Sequence, residues 1–288
     1  MAVDQKALDA VRREIDTVDD AIHDLIIRRT KIVEKVRSLK EGEPIKIRPA
    51  REARIINRLI ERHEGAFPKR ELVRIWRELI IATLSFEGPF SVAVYAPEHM
   101  GGYWQLARNQ YGAFTNMTGH ASVRRVIEAV RSGEATVGIL PFPFQGDLDP
   151  WWRHLVFTSA DAPRIIARLP FAPPVEKSTV ALDALAICRV NQGYSGKDHS
   201  FFAVDGKRSL GIQRLKTACG EAGISAKVIY DWHDDERPEV WFKMVETDDY
   251  LTEGDPRLES LKMRLADKEI RLIPLGGYAQ PLTEEDLD

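Results

Sequence analysis

The sequence predicts a multidomain protein in which an all-helical N-terminal part precedes an α/β region and an α+β region. An unbroken helical period of apolar residues covers residues 5–40, and further helical patterns continue to residue 88. Beyond that point, apolar runs alternate in the manner of strands, with helical patterns between them. A chain of 288 residues is long enough for two or three domains. We expect their boundaries at residues 1–88, 89–195 and 196–288.

The first helix is predicted from an apolar stripe whose steps alternate between three and four residues. The stripe consists of Leu8, Val11, Ile15, Val18, Ile22, Leu25, Ile32, Val36 and Leu39. This spacing is typical of a helix packed along one seam. A helix over residues 5–40 far exceeds the usual 10–14 residues. It is too long for a compact three-helix core, so we expect a homodimer joined through this helix.

Arg29 occupies one position of this otherwise apolar stripe. A guanidinium that has lost its water needs anionic partners, or the fold loses several kcal/mol. The stripe contains no acid, which favours a ligand carboxylate as the partner. Arg12 and Lys40 flank the stripe about 25 Å and 16 Å from Arg29, so only two antiparallel copies could bring Arg12 to the same ligand. Alternatively, Arg29 reaches solvent or pairs with an acid on another helix.

Two further helices complete the N-terminal part. The segment Glu41-Gly42-Glu43-Pro44 ends the first helix. Pro49 suits the first turn of the second helix, which presents Ile55, Ile56, Leu59 and Ile60 on one face. The third helix follows Pro68 and ends at Gly88-Pro89. Its inner face carries Leu72, Ile75, Trp76, Leu79, Ile80, Thr83 and Glu87.

The remaining elements are predicted from shorter patterns. In the middle region we expect a strand at 91–96, a helix at 122–132, strands at 135–140 and 182–190, and mostly loop between 141 and 180 with strand fragments at 164–169. The last region has strands at 200–204, 226–231, 240–245 and 270–274, with helices at 210–222 and 257–267. The resulting order β-α-β-β-α-β is that of the ferredoxin-like split βαβ fold.

Composition excludes several functional classes. A net charge of −3 argues against a general nucleic-acid binder. No apolar stretch approaches the length of a membrane span, and no signal peptide is visible, so we expect no membrane association. Cys188 and Cys219 stand in apolar surroundings without metal-ligand spacing. They predict reduced thiols in a cytoplasmic protein without a bound metal.

The N-terminal motifs resemble those of the all-helical chorismate mutase family. The resemblance is carried in order by residues 11–19 (VRREIDTVD), Arg28-Arg29, Lys40, residues 48–52 (RPARE), and Thr83 with Glu87. It implies an intertwined three-helix dimer. It also implies the [3,3] rearrangement of chorismate to prephenate, a shikimate-pathway step of aromatic amino-acid biosynthesis, without metal or cofactor.

The resemblance implies four residues that act on the charged and reacting groups of the substrate. Arg29 grips one carboxylate within its own chain, and Arg12 reaches over from the partner to grip the other. Lys40 donates to the ether oxygen of the breaking C–O bond. Glu87 stands on the far side of that oxygen, where an ionised form would repel it and a protonated form would donate to it.

Three further residues are implied as substrate-binding. Glu52 accepts from the substrate hydroxyl, and Arg51 lies beside it. Thr83 replaces a small hydroxyl residue near the ring carboxylate. Taken alone, Glu52 is also explained as an acid favoured at the start of a helix by the helix dipole.

The C-terminal regions show a second resemblance. Residues 91–141 resemble the first lobe of prephenate dehydratase, and residues 198–281 resemble the small regulatory ACT domain. The dehydratase's Gly-Pro-x-Gly-Thr turn is replaced by residues 96–100 (APEHM), and no Thr-Arg-Phe triplet occurs. We therefore expect a chorismate mutase with a degenerate dehydratase-like lobe. The alternatives are a bifunctional mutase–dehydratase and a non-catalytic small-molecule sensor.

Overall fold

The computed structural model of the protein describes residues 4–39, 42, 45–98, 101–156, 162–174, 182–206, 210–266 and 269–288. The chain divides into two compact units. The first comprises residues 1–46 and 82–89, and the second comprises residues 47–81 and 90–288. The division into domains after residues 88 and 195 stays a prediction.

The first unit consists of helix α1, Gln5–Leu39, and the last turns of helix α3, Lys69–Glu87. The predicted helix over residues 5–40 is confirmed to Leu39. None of the residues of α1 is buried in this single chain. Its apolar stripe is open to solvent, with Ile15 54% and Leu25 61% exposed.

The second unit begins with helix α2, Pro49–Glu61, and most of α3. Pro49 occupies the first turn of α2, where a missing N–H costs no hydrogen bond. The buried face of α2 packs against α3 and against residues far along the chain. This cluster contains Ala53, Ile56, Ile60, Val73, Phe171, Ala279, Leu282 and Leu287. The core beneath the second and third helices is therefore completed by late parts of the sequence.

The middle region forms one half of a nine-stranded sheet. Its strands are β1 Ser91–Tyr95, β2 Asn116–His120, β3 Val137–Pro141, β4 Arg164–Leu169 and β5 Ala184–Cys188. Strand β1 runs parallel to β2 and β3, while β5 runs antiparallel to β3 and β4. Helices α4, Gly102–Tyr111, and α5, Val123–Ser132, contact β1 and β3. The prediction omitted α4 and β2, and a 3₁₀ helix at Trp151–Leu155 lies in the expected loop.

The last region has the predicted ferredoxin-like order. It comprises β6 Asp198–Asp205, α6 Ile212–Glu221, β7 Ala226–His233, β8 Trp241–Thr247, α7 Pro256–Leu265 and β9 Arg271–Ala279, followed by a short α8, Glu284–Leu287. The strands lie in the order β9-β6-β8-β7, and all neighbours are antiparallel. The predicted β-α-β-β-α-β arrangement is confirmed.

The two halves of the sheet join where β4 pairs with β9. Ile165 lies opposite Gly276, which has a φ of 98°. A Cβ at this glycine would lie 2.2 Å from the Ile165 carbonyl oxygen, so only glycine permits the approach. The α/β and ferredoxin-like regions consequently share one sheet.

Candidate active site

Arg29 and Thr83 are brought together within the first unit. The Arg29 Nη1 atom donates a hydrogen bond to Thr83 Oγ1 at 3.2 Å. Arg29 is half-buried on α1, and Thr83 is buried on α3. A hydrogen bond to a buried hydroxyl oxygen limits the rotation of the long arginine side chain. Two residues predicted from separate helices thus form one local arrangement.

Arg12, the other arginine of α1 that is predicted to bind the substrate, faces solvent. Arg12 Nη1 lies 3.4 Å from Asp9 Oδ1, in an ion pair whose arginine side chain is 62% exposed. Exposed pairs of this kind contribute roughly 0–1 kcal/mol, so Asp9 holds Arg12 only loosely. Lys40 lies outside the described residues. Glu87 is the last residue of α3, but its side chain is also outside the described part.

Glu52 is buried in the second unit and faces an arginine that the sequence analysis missed. Arg77 Nη1 lies 3.7 Å from Glu52 Oε2, and the two residues are 6% and 7% exposed, respectively. Burial raises the pKa of Glu52, and the charge of Arg77 opposes this shift. Burial also lowers the pKa of Arg77. The Arg77 guanidinium lies over the Phe171 ring, 4.9 Å from its centroid.

A pattern in the sequence could have revealed Arg77. It lies four residues after Val73 and four before Ile81, and both of these are buried. Like Arg29, Arg77 is therefore a guanidinium in an apolar helical row, which needs a polar or anionic partner. The partner Phe171 lies on a distant segment and carries no such signal.

The arginines at the start of α2 have different environments. Arg51 is exposed in the first turn. Arg48, the residue before the helix, is half-buried and donates from Nη1 to the Ile47 carbonyl oxygen at 2.9 Å. The structure therefore places Arg51 at the surface beside the buried Glu52, and their roles toward a substrate stay predictions.

The described residues contain neither a metal-binding cluster nor a membrane-spanning helix. No group of three or more His, Cys, Asp or Glu side chains is arranged to hold a metal ion. No helix within the described ranges combines the length and apolar character needed to cross a membrane.

Among solved structures, the chain is similar to a prephenate dehydratase from Streptococcus mutans. The match has a TM-score of 0.47 and 12% identity, and it covers 67% of this chain and 98% of that one.

Sequence comparison identifies the helical part more directly. Residues 11–88 match the family model of chorismate mutase type II. The bifunctional chorismate mutase/prephenate dehydratase of Pseudomonas aeruginosa is 31% identical over 145 residues, which is 48% of this chain and 39% of that protein. The Aquifex aeolicus protein of the same description is 31% identical over 139 residues, or 46% and 38% of the two chains. The chain thus covers well under half the length of the curated relatives it matches, and the match to chorismate mutase type II lies in its N-terminal residues 11–88.

Proposed function

We propose that the chain is a chorismate mutase, which converts chorismate to prephenate by a [3,3] rearrangement. The observation that carries this proposal is the match of residues 11–88 to the chorismate mutase type II model. Within that range, the hydrogen bond between Arg29 and Thr83 fits a carboxylate-binding role for Arg29.

The rearrangement is intramolecular and requires no nucleophile. Its main requirement is that the flexible substrate is held in the compact conformer from which the two reacting carbons meet. Two arginines that grip the two carboxylates would supply this restraint. Arg29 would act within its own chain, held in orientation by Thr83, and Arg12 would come from a second copy. Because both reacting carbons already belong to one molecule, this restraint contributes through selection of the reactive conformer and not through bringing two reactants together.

The second requirement is stabilisation of charge on the ether oxygen as its bond to carbon breaks. Lys40 would donate to this oxygen from one side, and a protonated Glu87 from the other. Fixed donors aimed at a developing oxyanion each contribute roughly a hundredfold to a thousandfold in rate.

The substrate hydroxyl would be bound at the start of α2. Arg51 is exposed there, and its side chain can reach a ligand. Glu52 faces Arg77 in the free protein. It would accept from the hydroxyl only if it exchanged part of that pairing for the substrate, so its role depends on a rearrangement that Arg51 does not need.

A homodimer joined through α1 is part of the proposal. The exposed stripe of α1 is far more apolar than a solvated helix face, with Ile22 50% and Val18 57% exposed. A second antiparallel copy would cover this stripe and bring its Arg12 to the site. We further propose a cytoplasmic location, which is supported by the buried, unpaired thiols of Cys188 and Cys219.

The decisive experiment follows the loss of chorismate with the purified protein. Arg29→Ala and Lys40→Ala should each reduce turnover by more than about a hundredfold, because each would remove a charged donor to the substrate. Lys31→Ala removes an exposed cation from the same helix and serves as the matched control. Absence of prephenate formation, or full activity in Arg29→Ala, would refute the proposal.

A bifunctional mutase–dehydratase is the second candidate, because the relatives described above carry that name. The missing Thr-Arg-Phe triplet argues against it. The same purified protein, supplied with prephenate, separates the two. Phenylpyruvate formed at a rate comparable to the mutase step would establish the bifunctional enzyme, whereas its absence leaves the mutase alone.

A further inference from the structure

A groove in the second unit is lined by residues to which the proposed mutase reaction gives no contact with substrate, although Arg77 in its floor pairs with Glu52. It has a volume of about 460 Å³ and lies between α3, α4 and residues 170–174. Its lining includes Arg74, Arg77, Arg108, Gln110 and Phe171. None of the seven residues assigned to the mutase site is among the described residues that line it.

The floor of the groove contains a buried guanidinium with unused donors. Arg77 is 6% exposed, and its ion pair with Glu52 spans 3.7 Å, which is longer than a hydrogen bond. Across the described ranges, Arg77 donates no hydrogen bond. A guanidinium has five N–H donors and keeps its charge in proteins. Because buried charged donors are nearly always hydrogen-bonded, Arg77 has capacity for a ligand acceptor.

The rim of the groove is positively charged. Arg74 is exposed, and its Nη1 atom lies 3.7 Å from Glu71 Oε2, which is longer than a hydrogen bond. Arg108 is exposed and has no ion pair among the described residues. Four arginines line the groove, and two of them, Arg70 and Arg77, pair with acids outside its lining, Glu284 and Glu52. Arg74 and Arg108 are therefore the exposed rim cations that attract an anion.

One wall of the groove is apolar. Phe171 stands beside Pro170, Pro173 and Leu106, and the Arg77 guanidinium lies over its ring. A bare inorganic anion would leave this wall without a partner. A planar apolar body would cover the wall while its carboxylate met the guanidiniums.

We infer that this groove is a binding site for a small organic carboxylate with a planar apolar body, separate from the mutase site. The carboxylate lies between Arg77 on the floor and Arg74 with Arg108 on the rim. Gln110, itself 7% exposed, borders the same floor and offers an amide for a further polar group of the ligand.

The test titrates the full chain with benzoate and measures affinity by calorimetry or ligand-observed NMR. Benzyl alcohol is the neutral probe of similar shape. The double variant Arg74→Ala/Arg108→Ala should bind benzoate at least about tenfold more weakly than the wild type does. The wild type should in turn bind benzyl alcohol at least about tenfold more weakly than it binds benzoate. Arg54→Ala, which removes an exposed arginine of α2 outside the groove, should leave the affinity unchanged. Arg29→Ala should also leave it unchanged, which separates this site from the mutase site.

Several outcomes would overturn the inference. One is benzoate binding by the rim variant that is as tight as binding by the wild type, and another is loss of binding in Arg29→Ala. Phosphate binding as tight as benzoate binding would exclude an organic carboxylate as the preferred ligand class. The absence of saturable benzoate binding would also overturn it. Because Arg74 and Arg108 are exposed, their replacement should leave the fold intact. Circular dichroism of each variant checks this.

Discussion

Because Glu52 and Arg77 form a buried ion pair, replacing either one by leucine should lower the free energy of unfolding, but by unequal amounts. At 3.7 Å the Coulomb attraction is about 4 kcal/mol with an effective dielectric constant of about 20. Removal of one partner of a buried pair typically costs about 3–5 kcal/mol. Glu52→Leu leaves a cation that cannot lose its proton, so the full penalty is expected. Arg77→Leu leaves a carboxyl group that can become neutral by binding a proton.

The difference predicts a pH dependence with a definite sign. Burial raises the pKa of Glu52 in the folded protein, and loss of Arg77 removes the charge that opposes this rise. With a raised pKa the folded state binds more protons than the unfolded state, so stability is full below the unfolded pKa and falls as pH rises through the folded pKa. The deficit of Arg77→Leu should therefore grow from about pH 5 to about pH 8. The deficit of Glu52→Leu should not grow, because the raised pKa of Glu52 makes the wild type, but not this variant, lose stability as pH rises.

Urea unfolding followed by circular dichroism measures these free energies at both pH values. The double variant Glu52→Leu/Arg77→Leu should recover most of the loss, because no uncompensated charge remains. The exposed pair of Arg125 and Glu134, at 2.8 Å, is the matched control, and its removal should cost less than about 1 kcal/mol. Equal, pH-independent deficits in the two single variants would refute the reasoning.

Three further predictions test other parts of the molecule. Ile22→Lys puts a charge in the exposed stripe of α1 and should yield inactive monomers in sedimentation; an active dimer would contradict the dimer proposal. Thr83→Val should lower kcat/KM about tenfold through loss of one hydrogen bond to Arg29, about 1.4 kcal/mol, with the fold intact. An unchanged kcat/KM would show that Arg29 needs no support. Leu287→Ala removes a 7% exposed side chain and should lower the free energy of unfolding by about 2–3 kcal/mol, seen as a lower urea midpoint. An unchanged midpoint would show that α8 adds nothing to stability.

Elements with a strong apolar period were predictable from the sequence. The first helix was expected over residues 5–40 and is observed as Gln5–Leu39, because its stripe repeats without interruption. The ferredoxin-like order was also predictable, since its strands and helices alternate with clear breaks. In the site, Arg29 could be identified because it interrupts that stripe, and Thr83 was named through the resemblance. Their hydrogen bond was not predicted.

Elements that depend on distant contacts could not be predicted. Strand β2 lies at the edge of the sheet and is mostly exposed, so it has no apolar alternation. The 3₁₀ helix at Trp151–Leu155 is fixed by a hydrogen bond from Trp151 Nε1 to the Pro141 carbonyl oxygen, a contact that no local pattern reports. Arg77 could have been found from its own helix, but its stacking on Phe171 could not.

The packing of the second and third helices against late residues has a consequence for synthesis on the ribosome. Arg70 on α3 contacts Glu284 across a separation of 214 residues. The apolar cluster beneath α2 is complete only once Leu282 and Leu287 have been synthesised. At about 5–20 residues per second, the helices emerge on the order of ten to forty seconds before these partners. During that interval the apolar face of α2 lacks these partners, and the apolar stripe of α1 is exposed as well. Nascent chains of this protein should consequently be strong clients of ribosome-associated chaperones, which shield such faces until the last strand and α8 are made.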